Sequence, residues 1–126
     1  MQIGAFVREM GTTADTVRYY MELSILKPEL KGNRYSFGAK EVMDSQAIVQ
    51  LKQWGLAVKE IQALFEHKAR SGCGTAGLLL FARDLLQERI HTIDNQIAEL
   101  HNQRAGAMEN LAEVDEVLRQ ISLVGE

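Results

Sequence analysis

Leu79 to Ile121 reads LLFARDLLQERIHTIDNQIAELHNQRAGAMENLAEVDEVLRQI, and apolar residues return along it at alternating steps of three and four. The seam runs through Leu86, Ile90, Ile93, Ile97 and Leu100, then Ala107, Leu111, Val114, Leu118 and Ile121. Arg83 and Arg104 are its only charged members, while Glu88, Arg89, Gln96 and Glu99 fall on the other sides. A stripe this narrow, held for about six heptads, belongs to a helix that meets another helix; a helix lying on a globular core carries a wider apolar face. Nothing else in the chain reads as a second long helix, so the expected partner is another copy. The expected state is a homodimer with Leu86, Ile90, Ile93, Ile97, Leu100, Leu111, Val114 and Leu118 in its interface. Gly106, in the weakest part of the seam, is expected to mark a kink or the end of the continuous helix.

Working outward, 126 residues leave room for one compact domain beside this helix. Residues 1–70 are expected to form that head, 71–77 a linker, 78–121 the long helix and 122–126 a loose tail. The charge of −3 is unevenly placed. Residues 1–70 hold ten Lys and Arg against eight Asp and Glu, about +2, and residues 71–126 hold four against nine, about −5. The head is therefore the part suited to an anionic partner. One cysteine, Cys73, rules out an intrachain disulfide framework and fits a reducing cytoplasm. The opening residues are amphipathic and not a basic-then-apolar leader, so no signal peptide is expected. The longest apolar run, Leu78 to Ala82, is too short to span a bilayer, and no membrane partner is expected.

Ile3, Phe6, Val7 and Met10 repeat at helical spacing and predict a short helix over 3–10. Gly11 can stop it, and Thr12 or Thr13 can cap a second helix over 14–23. That helix has Ala14, Val17 and Met21 for a buried side, and shows Asp15, Thr16, Arg18, Tyr19 and Glu22 outward. Two short helices joined through Gly-Thr-Thr match the helix-turn-helix plan, in which exposed hydroxyls and a guanidinium reach base edges and phosphates. Tyr20 reads as core. Pro28 ends the unit. Glu29 to Phe37 reads as a β-hairpin turning at Gly32 and Asn33 and bearing Lys31, Arg34 and Tyr35, as a DNA-binding wing requires. A third helix over 39–54 is expected to face Met43, Ala47, Ile48, Leu51 and Trp54 to the core. A fourth, over 58–68, presents Val58, Ile61, Leu64 and Phe65, with Lys59 exposed where backbone N–H groups can hold phosphate. The segment Ser71-Gly72-Cys73-Gly74-Thr75 separates head from long helix, and Thr75 can cap the latter. No carboxylate pair, Ser/His/Asp set or phosphate-cradling loop stands out, and His91 and His101 read as surface, so no catalysis is expected.

Three motifs in register make the chain resemble the MerR family of bacterial transcription regulators. Thr16-Val17-Arg18-Tyr19-Tyr20 is like the family's Thr-Leu-Arg-Tyr-Tyr, and Ile25-Leu26-Lys27-Pro28 is like Gly-Leu-Leu-x-Pro. Trp54-Gly55-Leu56-Ala57-Val58-Lys59-Glu60-Ile61 is similar to Leu-Gly-Phe-Ser-Leu-x-Glu-Ile. Ser24 stands where the family has glycine and Ala57 where it has a Ser cap. The wing reads Asn33-Arg34-Tyr35-Ser36-Phe37 against Gly-Tyr-Arg-x-Tyr, with Arg and Tyr exchanged.

The resemblance implies a mainly α fold: a winged helix-turn-helix head followed by a long antiparallel coiled-coil dimerisation helix. It implies promoter DNA as partner, met by Thr13, Thr16, Arg18, Tyr19, Lys31, Arg34, Tyr35 and Lys59. It further implies an inverted-repeat operator in an over-long promoter spacer, which effector binding bends and untwists so that RNA polymerase engages both promoter elements. In metal-sensing relatives a cysteine before the long helix joins others near that helix's far end in the partner subunit; here Cys73 has none to join. One thiolate per subunit cannot build a thiol-only metal site. That leaves a metal ion held jointly with His67, or with Asp115 or Glu116 contributed by the other copy, a thiol reactive toward electrophile or oxidant, or a cysteine with no role. Two other classes share the same features: an architectural DNA binder without effector sensing, and a dimeric scaffold whose head has lost DNA binding.

Overall fold

The computed structural model describes residues 1–72 and 74–124; Cys73, Gly125 and Glu126 lie outside them. The elements are α1 (Ile3–Met10), α2 (Ala14–Glu22), β1 (Glu29–Lys31), β2 (Arg34–Ser36), α3 (Ala39–Gln53), α4 (Val58–Ser71) and α5 (Ala76–Leu123). They fall into two compact units, Met1–Leu86 and Gln87–Glu126. No helix among the described residues is long and apolar enough to cross a membrane.

In the first unit, α1, α2, α3 and α4 close around Phe6, Val17, Tyr20, Ile25, Leu26, Phe37, Ile48, Leu56 and Ile61, all buried. Three of these helices end in the same way. At the ends of α1, α2 and α3 a residue with positive φ turns the chain, and the N–H beyond it reaches back to the helix: Thr12 to Val7 O at 3.1 Å, Ile25 to Tyr20 O at 2.9 Å, Leu56 to Leu51 O at 3.1 Å. These are Schellman ends, and in the last two the next residue, Ile25 or Leu56, drops into the core as such ends favour. Gly11 and Gly55 take the left-handed position at φ 66° and 85°, but after α2 it falls to Ser24 at φ 59°.

The sequence misleads along α3. Met43, Ala47 and Trp54 do not face the core: Met43 is 69% and Trp54 46% exposed, and only Ile48 of the expected set is fully buried, with Leu51 packed beside it. The buried face instead takes in Glu41 and Asp44. Glu41 accepts the Gly38 N–H at 3.0 Å and so closes the first turn, and Asp44 accepts from Lys68 Nζ of α4 at 3.0 Å. Satisfied in this way, the two carboxylates tolerate burial that they would otherwise resist. At the start of α4, Ala57 has no side-chain acceptor, and the Ala57 N–H donates to Glu60 Oε1 at 2.8 Å, the remaining half of a capping box.

Thr75 caps α5 as expected, its hydroxyl accepting the Leu78 N–H at 3.2 Å. The first turns of α5 belong to the head unit: Leu78 is buried, and Leu86 packs against the head core. Leu86 is therefore engaged by its own chain, and the bare seam begins at Ile90. Of the two outcomes expected at Gly106, a kink or the end of the helix, the second does not occur: the helix runs through it to Leu123. From residue 90 to 124 every residue except Ile93 is exposed.

A non-glycine residue held at left-handed φ costs about 1–2 kcal/mol, and a glycine loses about 0.5–1 kcal/mol of that advantage through the freedom of its unfolded chain. Ser24→Gly should therefore raise stability by about 0.5–1 kcal/mol, read as a higher urea midpoint with an unchanged m-value.

Candidate nucleic-acid interface

The exposed face of α2 is set by the residue that caps it. Thr13 is extended, at φ −119° and ψ 157°, and its Oγ1 accepts the Thr16 N–H at 3.2 Å while donating to Thr16 Oγ1 at 2.9 Å. The Thr13 hydroxyl is thus spent on capping, and the pair locks the turn from which α2 leaves. Beneath the helix, Tyr20 is buried with its phenol oxygen accepting from Lys52 Nζ at 3.3 Å. Tyr19 lies beside it, ring centroids 5.8 Å apart, but points out and is 46% exposed. Arg18 is exposed too, with Asp15 3.7 Å away. Because both side chains are in water, that pair is weak and leaves the guanidinium free to turn to another anion.

The wing is a two-residue hairpin in which Lys31 pairs with Arg34, Leu30 with Tyr35 and Glu29 with Ser36. Gly32 supplies the positive φ of 65°; Asn33 does not take it, so the turn has the type II′ pattern. The register sets two cations directly opposite each other, an arrangement that destabilises a ladder by a few tenths to about 1 kcal/mol. Only partial relief is at hand: Glu29 is 4.0 Å from Lys31, and Gln2 Oε1 accepts from Arg34 at 3.0 Å. An external anion between the two would remove the repulsion. The ribbon is tied to the head where it ends: the Phe37 N–H donates to Met1 O at 2.7 Å, and the Phe37 ring stacks on Phe6 at 4.6 Å.

That attachment brings α2 and the wing to one groove of about 450 Å³, lined by Gln2, Ile3, Arg18, Met21, Asn33, Arg34 and Tyr35. Three of the expected DNA residues, Arg18, Arg34 and Tyr35, meet there. Tyr19, Lys31 and Lys59 are exposed but do not line it. Thr16 lines a second recess with Val49 and Lys52. Residues 1–68 match the family model described as MerR HTH family regulatory protein. The chain belongs to the MerR family.

This MerR protein is 30% identical over 104 residues to the HTH-type transcriptional regulator HmrR of Rhizobium leguminosarum bv. viciae, spanning 79% of its own length and 75% of that relative's. Its fold is similar to that in a crystal structure of a protein from Listeria monocytogenes assigned as a MerR family transcriptional regulator, with a TM-score of 0.63, 22% identity, and coverage of 100% of this chain and 99% of that one. The chain is accordingly a DNA-binding transcription regulator of the MerR type. Its groove also contains Gln2, Ile3, Met21 and Asn33, which sequence reading missed. Gln2 precedes the first helix and Met21 carries the core period of α2, so neither bears a signal of its own.

Cys73, the expected effector residue and possible metal ligand, lies outside the described residues. Of its expected co-ligands, His67 Nδ1 is 3.3 Å from Ser71 Oγ and its ring stacks on Phe81 at 5.0 Å. Glu116 accepts two bonds from Arg119, which hold its carboxyl below the usual carboxylate range. Asp115 is exposed, and among the described residues no three His, Asp or Glu side chains gather as a metal site.

Aspartate caps as well as threonine but adds a negative charge at the start of α2. Thr13→Asp should keep stability within about 0.5 kcal/mol, whereas Thr13→Ala loses about 1 kcal/mol. In anisotropy titrations with a duplex from the protein's own promoter region, the Asp variant should bind far more weakly than the Ala variant.

Proposed function

We propose that this protein regulates transcription as a homodimer on promoter DNA, in the cytoplasm, under the control of an effector that engages the segment around Cys73. α2 enters a major groove with Arg18 and Tyr19 toward bases and phosphates, and the wing lays Lys31, Arg34 and Tyr35 along the adjoining backbone. Lys59, in the first turn of α4, meets a further phosphate. Thr13 acts by fixing the exit of α2, and Thr16 sits at the edge of the contact. The observation that carries the reading is the convergence of Arg18, Arg34 and Tyr35 on one groove, next to a cross-strand pair of cations that lacks a full counter-charge.

Dimerisation is supported by the second unit. Ile90, Ile97, Leu100, Leu111, Val114 and Leu118 are each about half exposed on a helix with no neighbour in its own unit. Such a seam is stable in water only when another helix covers it. Two copies paired antiparallel would carry two heads to an inverted repeat. Effector binding would then deform the DNA between the half-sites and align the promoter for RNA polymerase, which the protein affects through the DNA.

A gel shift with a duplex from its own promoter region tests the reading. Binding should be sequence-dependent and fall steeply with salt, and Arg18→Ala should weaken it about tenfold or more, the loss expected for one base-reading arginine. An affinity unchanged by Arg18→Ala would leave the head as a scaffold.

A further inference from the structure

The charges of α2 are not those that attraction to phosphate would select. Two of them are carboxylates, Asp15 and Glu22, against one cation, Arg18. At 3.6 residues per turn Arg18, Asp15 and Tyr19 follow one another round the helix within about 100°, and the buried pair Val17 and Tyr20 lies on the opposite side. Asp15 therefore stands in the middle of the outward face. It is also in the first turn, the part of a recognition helix that meets base edges, whereas Glu22 lies about two turns further on. Its side chain is 99% exposed, and at 3.7 Å its Oδ1 is too far from Arg18 Nη1 for a hydrogen bond. Nor does it cap the helix, since Thr13 does so.

Resting on the reading of α2 as the groove-entering helix, we infer that Asp15 determines base preference: it selects a cytosine in the base pair next to the one read by Arg18. A carboxylate only accepts hydrogen bonds. In the major groove guanine shows two acceptors, thymine an acceptor and a methyl group, and adenine an acceptor beside its amino donor. Cytosine alone offers a donor, its N4 amino group, with no acceptor of its own next to it. Against any other edge Asp15 gives up water and meets a lone pair or a methyl group. The phosphates on either side of the groove repel it too. The residue thus weakens binding to every sequence and recovers the loss only where cytosine is in reach, which is discrimination by exclusion.

The spacing suits a joint reading. Asp15 and Arg18 are about 4.5 Å apart along the helix axis, near the 3.4 Å step between base pairs. Arg18 donates to O6 and N7 of a guanine, and Asp15 accepts from N4 of the adjoining cytosine. Opening the Asp15–Arg18 pair costs little, because both groups are solvated.

Selection from a pool of randomised duplexes, by the full chain and its variants, tests the assignment. The unaltered protein should enrich a cytosine beside a guanine in each half-site, the guanine being the position whose preference Arg18→Ala abolishes. In anisotropy titrations, exchanging that cytosine for thymine should weaken binding about tenfold. Asp15→Ala should bind the two duplexes within about twofold of each other while keeping the guanine preference. Asp15→Asn should move the preference to adenine, whose N6 and N7 suit an amide. Both variants should hold unrelated duplex more tightly than the unaltered protein, a gain that a damaged fold would not give. An Asp15→Ala profile with the cytosine intact overturns the inference. Loss of the guanine preference in that variant would make Asp15 a support for Arg18 and overturns it as well. If the unaltered protein enriches no sequence at all, the reading of α2 on which the inference rests is itself removed.

Discussion

The stack of Phe6 on Phe37 joins the two parts of the head that would otherwise have little reason to stay together. A hairpin of two three-residue strands, with every residue of β1 exposed, cannot hold its own place. It is anchored by the residue that follows it, whose ring is 1% exposed and whose N–H is bound to Met1 O. Phe6 in turn is the fully buried residue of α1, the helix that packs on α2. One aromatic contact thereby fixes the distance between the outward face of α2 and the wing. The groove holding Arg18, Arg34 and Tyr35 is a consequence of that distance.

Around this contact the head is built economically from helix ends. Three Schellman turns reverse the chain after α1, α2 and α3, and two of them feed a core residue directly into the cluster. The motif Ile25-Leu26-Lys27-Pro28 owes its form to this: Ile25 and Leu26 are the residues delivered inward by the turn after α2, and Pro28 prevents the helix from resuming. Ser24 occupies the strained position of that turn, which explains why a glycine suits it better.

The second unit poses the opposite problem. Within the head almost every large apolar side chain of α1, α2 and α4 finds a neighbour, but from residue 90 to 124 every residue except Ile93 is exposed. A long helix of this kind is stabilised by packing and not by propensity, and this is the physical ground of the dimer proposed above. The seam has a polarity that a simple leucine repeat lacks: a single arginine on one side of the midpoint and a single alanine on the other.

Much of this was legible in the residues alone. The 3.6-residue period placed α1, α2 and α4 and their buried faces, because each shows one apolar side and one polar side. The 3-4 spacing gave α5, and glycine, threonine and proline marked the ends. α3 was misread because Val42, Met43, Ala47, Ile48, Val49 and Leu51 lie all round it, so that periodicity chose no face. Its buried face combines Ile48 with Glu41, which bonds locally to the Gly38 N–H, and with Asp44, whose partner Lys68 can be recognised only once α3 and α4 are packed. The candidate site divides in the same way. Arg18, Tyr19 and the wing cations follow from local motif and exposure, which neighbouring residues determine. Their convergence on one groove with Gln2, and the removal of Leu86 from the free seam, depend on contacts between segments far apart in the chain, and only the folded arrangement sets those distances.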